Sequence, residues 1–141
     1  MLTELGIATL MVLVTVLMHT IGLLVLGMWV RIAVTEEQER DIHPLSPRGV
    51  TLIVSIVLGL FVVHGIEIWS YALLYIELGA VADLRESVYF STITYAAIGY
   101  GDDAIAEGWK LIAAIEGING LLLIGWSTAF FVTVMNQLAR E

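Results

Sequence analysis

Three long apolar runs, 6–30, 50–76 and 111–135, leave this chain few options. Each exceeds the roughly 20 residues an α-helix needs to cross a hydrocarbon layer about 30 Å thick. Lipid offers the backbone no hydrogen-bonding partner, so each run must satisfy its own N–H and C=O groups, as a helix does. The composition agrees: 59% of the 141 residues are hydrophobic, 14% are charged and the mean hydropathy is +0.92, too apolar for a soluble surface. An all-α integral membrane protein with three transmembrane helices is expected. The first run does not read as a secretory signal. It carries Glu4 in place of a basic start, is about twice as long as a signal's apolar core, and runs into Trp29-Val30-Arg31 rather than a small-residue cleavage site.

The few charges orient the spans. Arg31, Arg40, Arg48 and Arg140 fall on one side of a three-span arrangement, Arg85 and Lys110 on the other. The positive-inside rule then puts the 31–49 loop and the C-terminus in the cytoplasm and the N-terminus outside, in a plasma membrane, the inner one if the cell is bacterial. Trp29, Tyr71, Tyr75 and Trp109 sit near span ends, where an aromatic belt belongs. The net charge of −8 excludes a basic footprint for nucleic acid and suits surfaces that attract cations. With no cysteine there is no disulfide framework and no thiol chemistry. The loop after the first span, broken by Pro44 and Pro47, reads as a solvated linker without chemistry.

The informative stretch lies between the second and third spans. Residues 86–95, ESVYFSTITY, suit a helix of about ten residues, about 15 Å long and able to reach only halfway across a bilayer. The chain that returns from that depth cannot be helical, and such backbone survives only where it is buried in protein or lines a watery cavity. A cation is one partner for its carbonyls. Gly99 and Gly101 can take backbone conformations closed to other residues, which lets successive carbonyls point to one side. Asp102, Asp103 and Glu107 follow before the chain re-enters the membrane, an acid-rich segment that suits a surface attracting cations.

Over 50–136 the sequence resembles the potassium channel family of the bacterial type, with an outer helix, a pore helix, a filter and an inner helix in each subunit. Thr94-Tyr-Ala-Ala-Ile-Gly-Tyr-Gly-Asp102 is similar to that family's T-x-T-T-V-G-Y-G-D, with Ile98 for valine and with Ala96 and Ala97 where threonines are usual. The mechanism that follows is the family's established one, not one read from these residues. The resemblance implies a tetrameric pore fold, a homotetramer in the lipid bilayer, whose filter backbone at Ala97, Ile98, Gly99, Tyr100 and Gly101 coordinates K+. The ion-binding carbonyls would be those of Ala97, Ile98, Gly99 and Tyr100. Potassium is then the permeant ligand, and no other cofactor is expected. Asp102 and Thr94 would support the filter, and Tyr89-Phe90 would form an aromatic cuff around it. The missing hydroxyl at Ala97 would weaken the innermost ion site. By this resemblance the chain divides into an extra N-terminal transmembrane helix at 1–31, a cytoplasmic linker at 32–49 and a pore domain at 50–138. Within that domain the outer helix is 50–77, the pore helix 86–96, the filter 97–102 and the inner helix 108–137. Gly120, 19 residues after Gly101, falls near the family's hinge glycine, and Ser127 and Thr128 fall where cavity walls would be.

Ionisable residues inside the spans form a second constellation. His64 and Glu67 stand at i and i+3 on one face of the second helix. Glu67 lies about 14 Å below Ile76 and Glu116 about 9 Å below Lys110, at the depth of the short helix. The expected role is a bracket that hydrogen-bonds Tyr89, Ser91, Thr92, Thr94 or Tyr95 and so holds the filter loop. Two sharper readings are a protonation switch and a His-x-x-Glu metal site, the latter short of the ligands a metal needs. His19 in the first span is expected to be a packing histidine. An enzyme would need a nucleophile–base pair that the sequence lacks, and none is expected. A non-selective monovalent cation channel is the nearest alternative function. A proton-coupled transporter using His64, Glu67 and Glu116 is a distant one, because three spans offer no inverted repeat.

Overall fold

The computed structural model describes residues 1–37, 46–99 and 102–138. The expected roles of Tyr100, Gly101, Arg40, Pro44 and Arg140 therefore lie outside the described residues. Among the described residues there are four α-helices: α1 (Leu2–Glu37), α2 (Pro47–Glu77), α3 (Leu84–Tyr95) and α4 (Lys110–Leu138). No strand occurs among the described residues. Helices α1, α2 and α4 are the three long and apolar enough to cross a membrane. The short helix begins at Leu84 rather than 86 because Asp83 caps it, its carboxylate accepting the Glu86 amide at 3.0 Å. The last helix begins at Lys110 rather than 108, since Glu107–Trp109 forms a separate 3₁₀ turn. The second starts where Ser46 accepts the Gly49 amide at 3.1 Å and Pro47 supplies a φ already suited to a first turn.

Two helices end in the same way on different residues. After α2, Gly79 donates to Ile76 O at 3.0 Å and Ala80 to Tyr75 O at 2.8 Å, with Gly79 left-handed at φ 61°. After α3, Ala97 donates to Thr94 O at 2.9 Å and Ile98 to Ile93 O at 2.8 Å, with Ala97 left-handed at φ 55°. Both are Schellman caps, but the second puts a Cβ where glycine is usual. The segment after α3 is tied back to the end of α2 by Ala106, whose amide donates to Ala80 O at 2.9 Å.

The short helix sits between α2 and α4 at one end of the bundle, over a cluster that includes Ala8 of α1, Tyr71 and Tyr75 of α2, Phe90 of α3 and Ile112 of α4. At the other end Val30, Leu52, Ile56, Val134 and Leu138 form a second cluster. This pairing of starts with ends makes α1 and α4 run one way and α2 the other. Helices α1 and α2 interlock: a methyl on Gly22 would lie 2.6 Å from Val63 Cγ2, and one on Gly59 would lie 2.4 Å from Leu26 Cδ2. Small residues that admit a neighbour's side chain are how helices associate in lipid, where apolar burial alone gives no preference. The outward side of α1, with Leu10, Leu13, Leu17, Ile21, Leu24 and Met28 exposed at three- and four-residue spacing, is left for lipid.

Candidate functional site

The loop that leaves α3 carries three successive amides turned back onto that helix. Ala97 donates to Thr94 O, and both Ile98 and Gly99 donate to Ile93 O, the last at 3.1 Å. In a trans peptide the carbonyl points opposite to the N–H that follows it, so the carbonyls of Ala96, Ala97 and Ile98 are directed away from α3. Residues 96–99 are all exposed, Ile98 at 52%. Gly99 is left-handed at φ 68°, as the sequence pattern requires. The C-terminal end of α3, the negative end of its dipole, adjoins this row of oxygens.

Around α3, polar side chains from four helices meet in layers. In the first, Glu116 of α4 accepts from the Tyr75 hydroxyl of α2 and meets the Ser91 hydroxyl of α3, each at 2.5 Å. Ser91 also faces Ile68 O at 3.0 Å. One hydroxyl hydrogen cannot serve two acceptors, so both Ser91 contacts become hydrogen bonds only if Glu116 brings a proton of its own. Ser87 donates to Ala72 O at 2.6 Å, a second tie between α3 and α2. In the next layer Asn119 donates to Thr15 Oγ1 at 2.8 Å and to Tyr71 at 3.3 Å, joining α4 to α1 and α2.

The third layer closes on itself. His19 Nδ1 meets Glu67 Oε1 at 2.9 Å, and the Tyr95 hydroxyl donates to Glu67 Oε2. His64 Nδ1 meets the Tyr95 oxygen at 2.9 Å, His64 Nε2 meets Ser127 Oγ at 2.9 Å, and Ser127 Oγ meets His19 Nε2 at 3.3 Å. The result is a ring of five side chains drawn from all four α-helices. His19, Glu67 and Ser127 are buried, and His64 alone keeps an exposed edge. The imidazoles lie 5.3 Å apart, and Trp126 packs 5.4 Å from His19.

Glu67 thus reaches Tyr95, and Glu116 reaches Ser91, two of the partners expected from their depth. Ser127 needs correction: it is not on a cavity wall but faces inward to both histidines, because α1 occupies that side of α4. Thr128, one residue on, is exposed, its hydroxyl donating to Ile124 O. His19 is a member of the ring rather than a packing histidine. Gly120 is where α4 passes closest to α3, since a methyl there would lie 2.2 Å from Tyr95 O. Of the cuff pair, Phe90 is buried edge-on to Tyr75 and Tyr89 is exposed. Glu107 pairs with Lys110 at 2.7 Å, which leaves Asp103 the less compensated of these two exposed acids.

His19, His64 and Glu67 offer atoms within 4.8 Å of one another, a spacing that could suit a metal ion. Each of those atoms already has a partner within the ring, and among the described residues no buried side-chain nitrogen or oxygen lacks one. Hydrogen bonds alone account for the layer. The sequence carried a signal for it. Polar residues recur at helical spacing in each span: Thr15 and His19; His64, Glu67, Tyr71 and Tyr75; Glu116, Asn119 and Ser127.

A family model described as an ion channel matches residues 61–137, more than half of the chain. Comparison with curated proteins gave no match, nor did comparison with solved structures.

Proposed function

On the premise that the chain belongs to this ion-channel family, we propose that it forms a potassium-selective pore from four copies of itself. The observation that carries the reading is the outward row of carbonyls at Ala96, Ala97 and Ile98, held by amides turned back onto α3 and followed by Gly99-Tyr100-Gly101-Asp102. A dehydrated cation supplies what such oxygens lack in a membrane, and oxygens supply what the cation loses with its water. One copy lays this row on an exposed flank, whereas copies around an axis would surround the ion. The dipole of α3 favours positive charge at the same place. Thr94 and Asp102 would brace the filter, with Glu67, His64 and Glu116 fixing α3 from behind. Asp103 would raise the cation concentration at the mouth. Thr128 is the candidate for the cavity wall. Gly120 could act as a hinge only if Tyr95 moved off it. The basic residues support a cytoplasmic C-terminus.

The test is a planar-bilayer recording of the purified protein in opposed potassium and sodium gradients. A reversal potential near that of potassium is expected. One near zero would replace this reading with a non-selective cation pore, the outcome that the missing hydroxyl at Ala97 favours. Gly99→Ala should abolish current, because a methyl opposes the left-handed backbone there. Crosslinking in native membranes should give a four-copy ladder, and a monomer would sink the pore.

A further inference from the structure

The five-membered ring can be counted in protons. His64 Nδ1 also lies 3.3 Å from Glu67 Oε2 and shares one hydrogen between that oxygen and Tyr95, so the five contacts around the ring need five hydrogens. An ionised Glu67 brings none, and neutral His19, neutral His64, Tyr95 and Ser127 bring one each, so the set is one short. We propose that the ring is a binding site for one additional proton, shared by His19, His64 and Glu67, and that its occupancy sets how firmly Tyr95 holds the end of α3. With the fifth proton on Glu67 every member donates to the next. Glu67 gives to His19, His19 to Ser127, Ser127 to His64, His64 to Tyr95, and Tyr95 back to Glu67. Moving one proton from Glu67 to His19 turns the same ring into an ion pair of zero net charge. Without that proton the ring carries a net negative charge, and two acceptors face each other across one contact.

Position makes this count consequential. His19, His64 and Ser127 stand near the middle of α1, α2 and α4, where an uncompensated charge lies in the part of the membrane least able to solvate it. The partly exposed edge of His64, 17% accessible, is the route by which a proton enters or leaves. Loss of the proton breaks one contact in a ring that includes Tyr95, the last residue of α3 and the neighbour of the exposed carbonyl row. Every ionisable group facing the ring is a member of it, apart from Tyr71 of α2 and Glu116 of α4, the next ones out. The sign follows: the folded ring holds one proton more than its separated members do near neutrality, so its contribution falls as pH rises. The link to conduction rests on the proposed pore, but the proton count does not.

Two measurements keep those apart. The thermal midpoint of the purified protein in detergent should fall by about 5 °C or more between pH 7 and pH 9.5, the scale expected for loss of one bound proton in a chain of this size. Glu67→Gln is the decisive variant. Its amide donates to His19 and accepts from Tyr95, which fills all five contacts with neutral groups, so its alkaline fall should vanish while its midpoint at pH 7 stays near the parent's. Glu116 of the neighbouring layer holds a proton of its own, so parent and Glu67→Gln are compared in a Glu116→Gln background, where the alkaline fall that remains belongs to the ring. A parent midpoint flat across this range, or a Glu67→Gln variant that tracks the parent, would overturn the proposal. So would elemental analysis that finds one tightly bound divalent metal per chain, since a metal would take the shared proton's place. Flux from potassium-loaded vesicles, followed over the same pH range, then reads transmission to the pore. Alkaline loss of flux in the parent and not in Glu67→Gln is expected. Flux indifferent to pH despite a shifting midpoint would refute the coupling to Tyr95 and leave the proton site standing.

Discussion

The half of the bundle that holds α3 and the half beyond the ring use the same apolar helices and are fixed by different means. Around α3 each layer places a hydrogen-bonded group between helices: Ser87 on Ala72, Glu116 between Tyr75 and Ser91, Asn119 between Thr15 and Tyr71, and the ring below. Beyond the ring the buried core is Val30, Leu52, Ile56, Val134 and Leu138, with Phe130 and Phe131 packed against it. An open groove of about 870 Å³ runs there between α1 and α4, past Leu24, Gly27, Trp126 and Phe130. Lipid competes equally well for aliphatic side chains, so such contacts hold helices together without fixing where they sit. Hydrogen bonds in a medium without water have few substitutes. The first half is therefore specified by directional contacts, whereas the second rests on apolar packing and on the interlock of Leu26 with Gly59.

The comparison breaks most visibly at Gly120. Gly120→Ala would drive a methyl to 2.2 Å from Tyr95 O, and the resulting displacement of α3 should cost on the order of 3 kcal/mol. Gly125→Ala, on the same helix with nothing within 4 Å, should gain about 0.5–1 kcal/mol from helix propensity alone. Thermal melting of the two variants in one detergent decides it; similar midpoints would mean that α3 is not held against α4.

Next in size is the Glu116 layer. Glu116→Ala strands Tyr75 and Ser91 and should cost about 1–3 kcal/mol. Glu116→Gln keeps one donor for Ser91 and one acceptor for Tyr75, and should melt within about 0.5 kcal/mol of the parent if Glu116 already carries a proton. A Gln variant as poor as Ala would reverse that proton assignment.

Ala97 sharpens the contrast within the specified half. Its left-handed backbone should make Ala97→Gly more stable by about 1 kcal/mol. Ala97→Thr should melt lower than the parent, since β-branching is least tolerated at positive φ. A threonine that raised the midpoint would show that the loop can adopt another backbone conformation.

An effect of similar, small size belongs to the apolar half. Ile56→Val removes one methylene from a site with 0% exposure and should cost about 0.5–1.5 kcal/mol. The same change should alter the open probability in single-channel records more than it alters reversal potential. A shift in selectivity would deny that the two halves are mechanically distinct.

What could be read from the sequence follows the same division. Span number, the short helix and the left-handed Gly99 depend on local pattern and length, and the depth of Glu67 and Glu116 is plain counting. The depth of His19 was equally countable, but its partners lie on helices far away in sequence, and nothing local says which way α1 turns. Ser127 faces the histidines because α1 covers that side of α4, and no local pattern tells one side of this helix from the other. In the sequence Ala97 shows only a missing hydroxyl, whereas its backbone conformation comes from the cap that ends α3, a feature the sequence marks only when glycine occupies it.

The interlock of Gly22 with Val63 and of Leu26 with Gly59 bears on where this molecule can be cut. The matched family domain begins at residue 61 and so excludes α1 altogether. Yet α1 supplies His19 to Glu67 and Ser127, and Thr15 to Asn119. A truncation that kept only the matched region would leave a carboxylate and an amide facing acyl chains. The boundary drawn by kinship and the boundary of the cooperative unit fall in different places, and a two-span channel cannot be recovered from this chain by deletion alone.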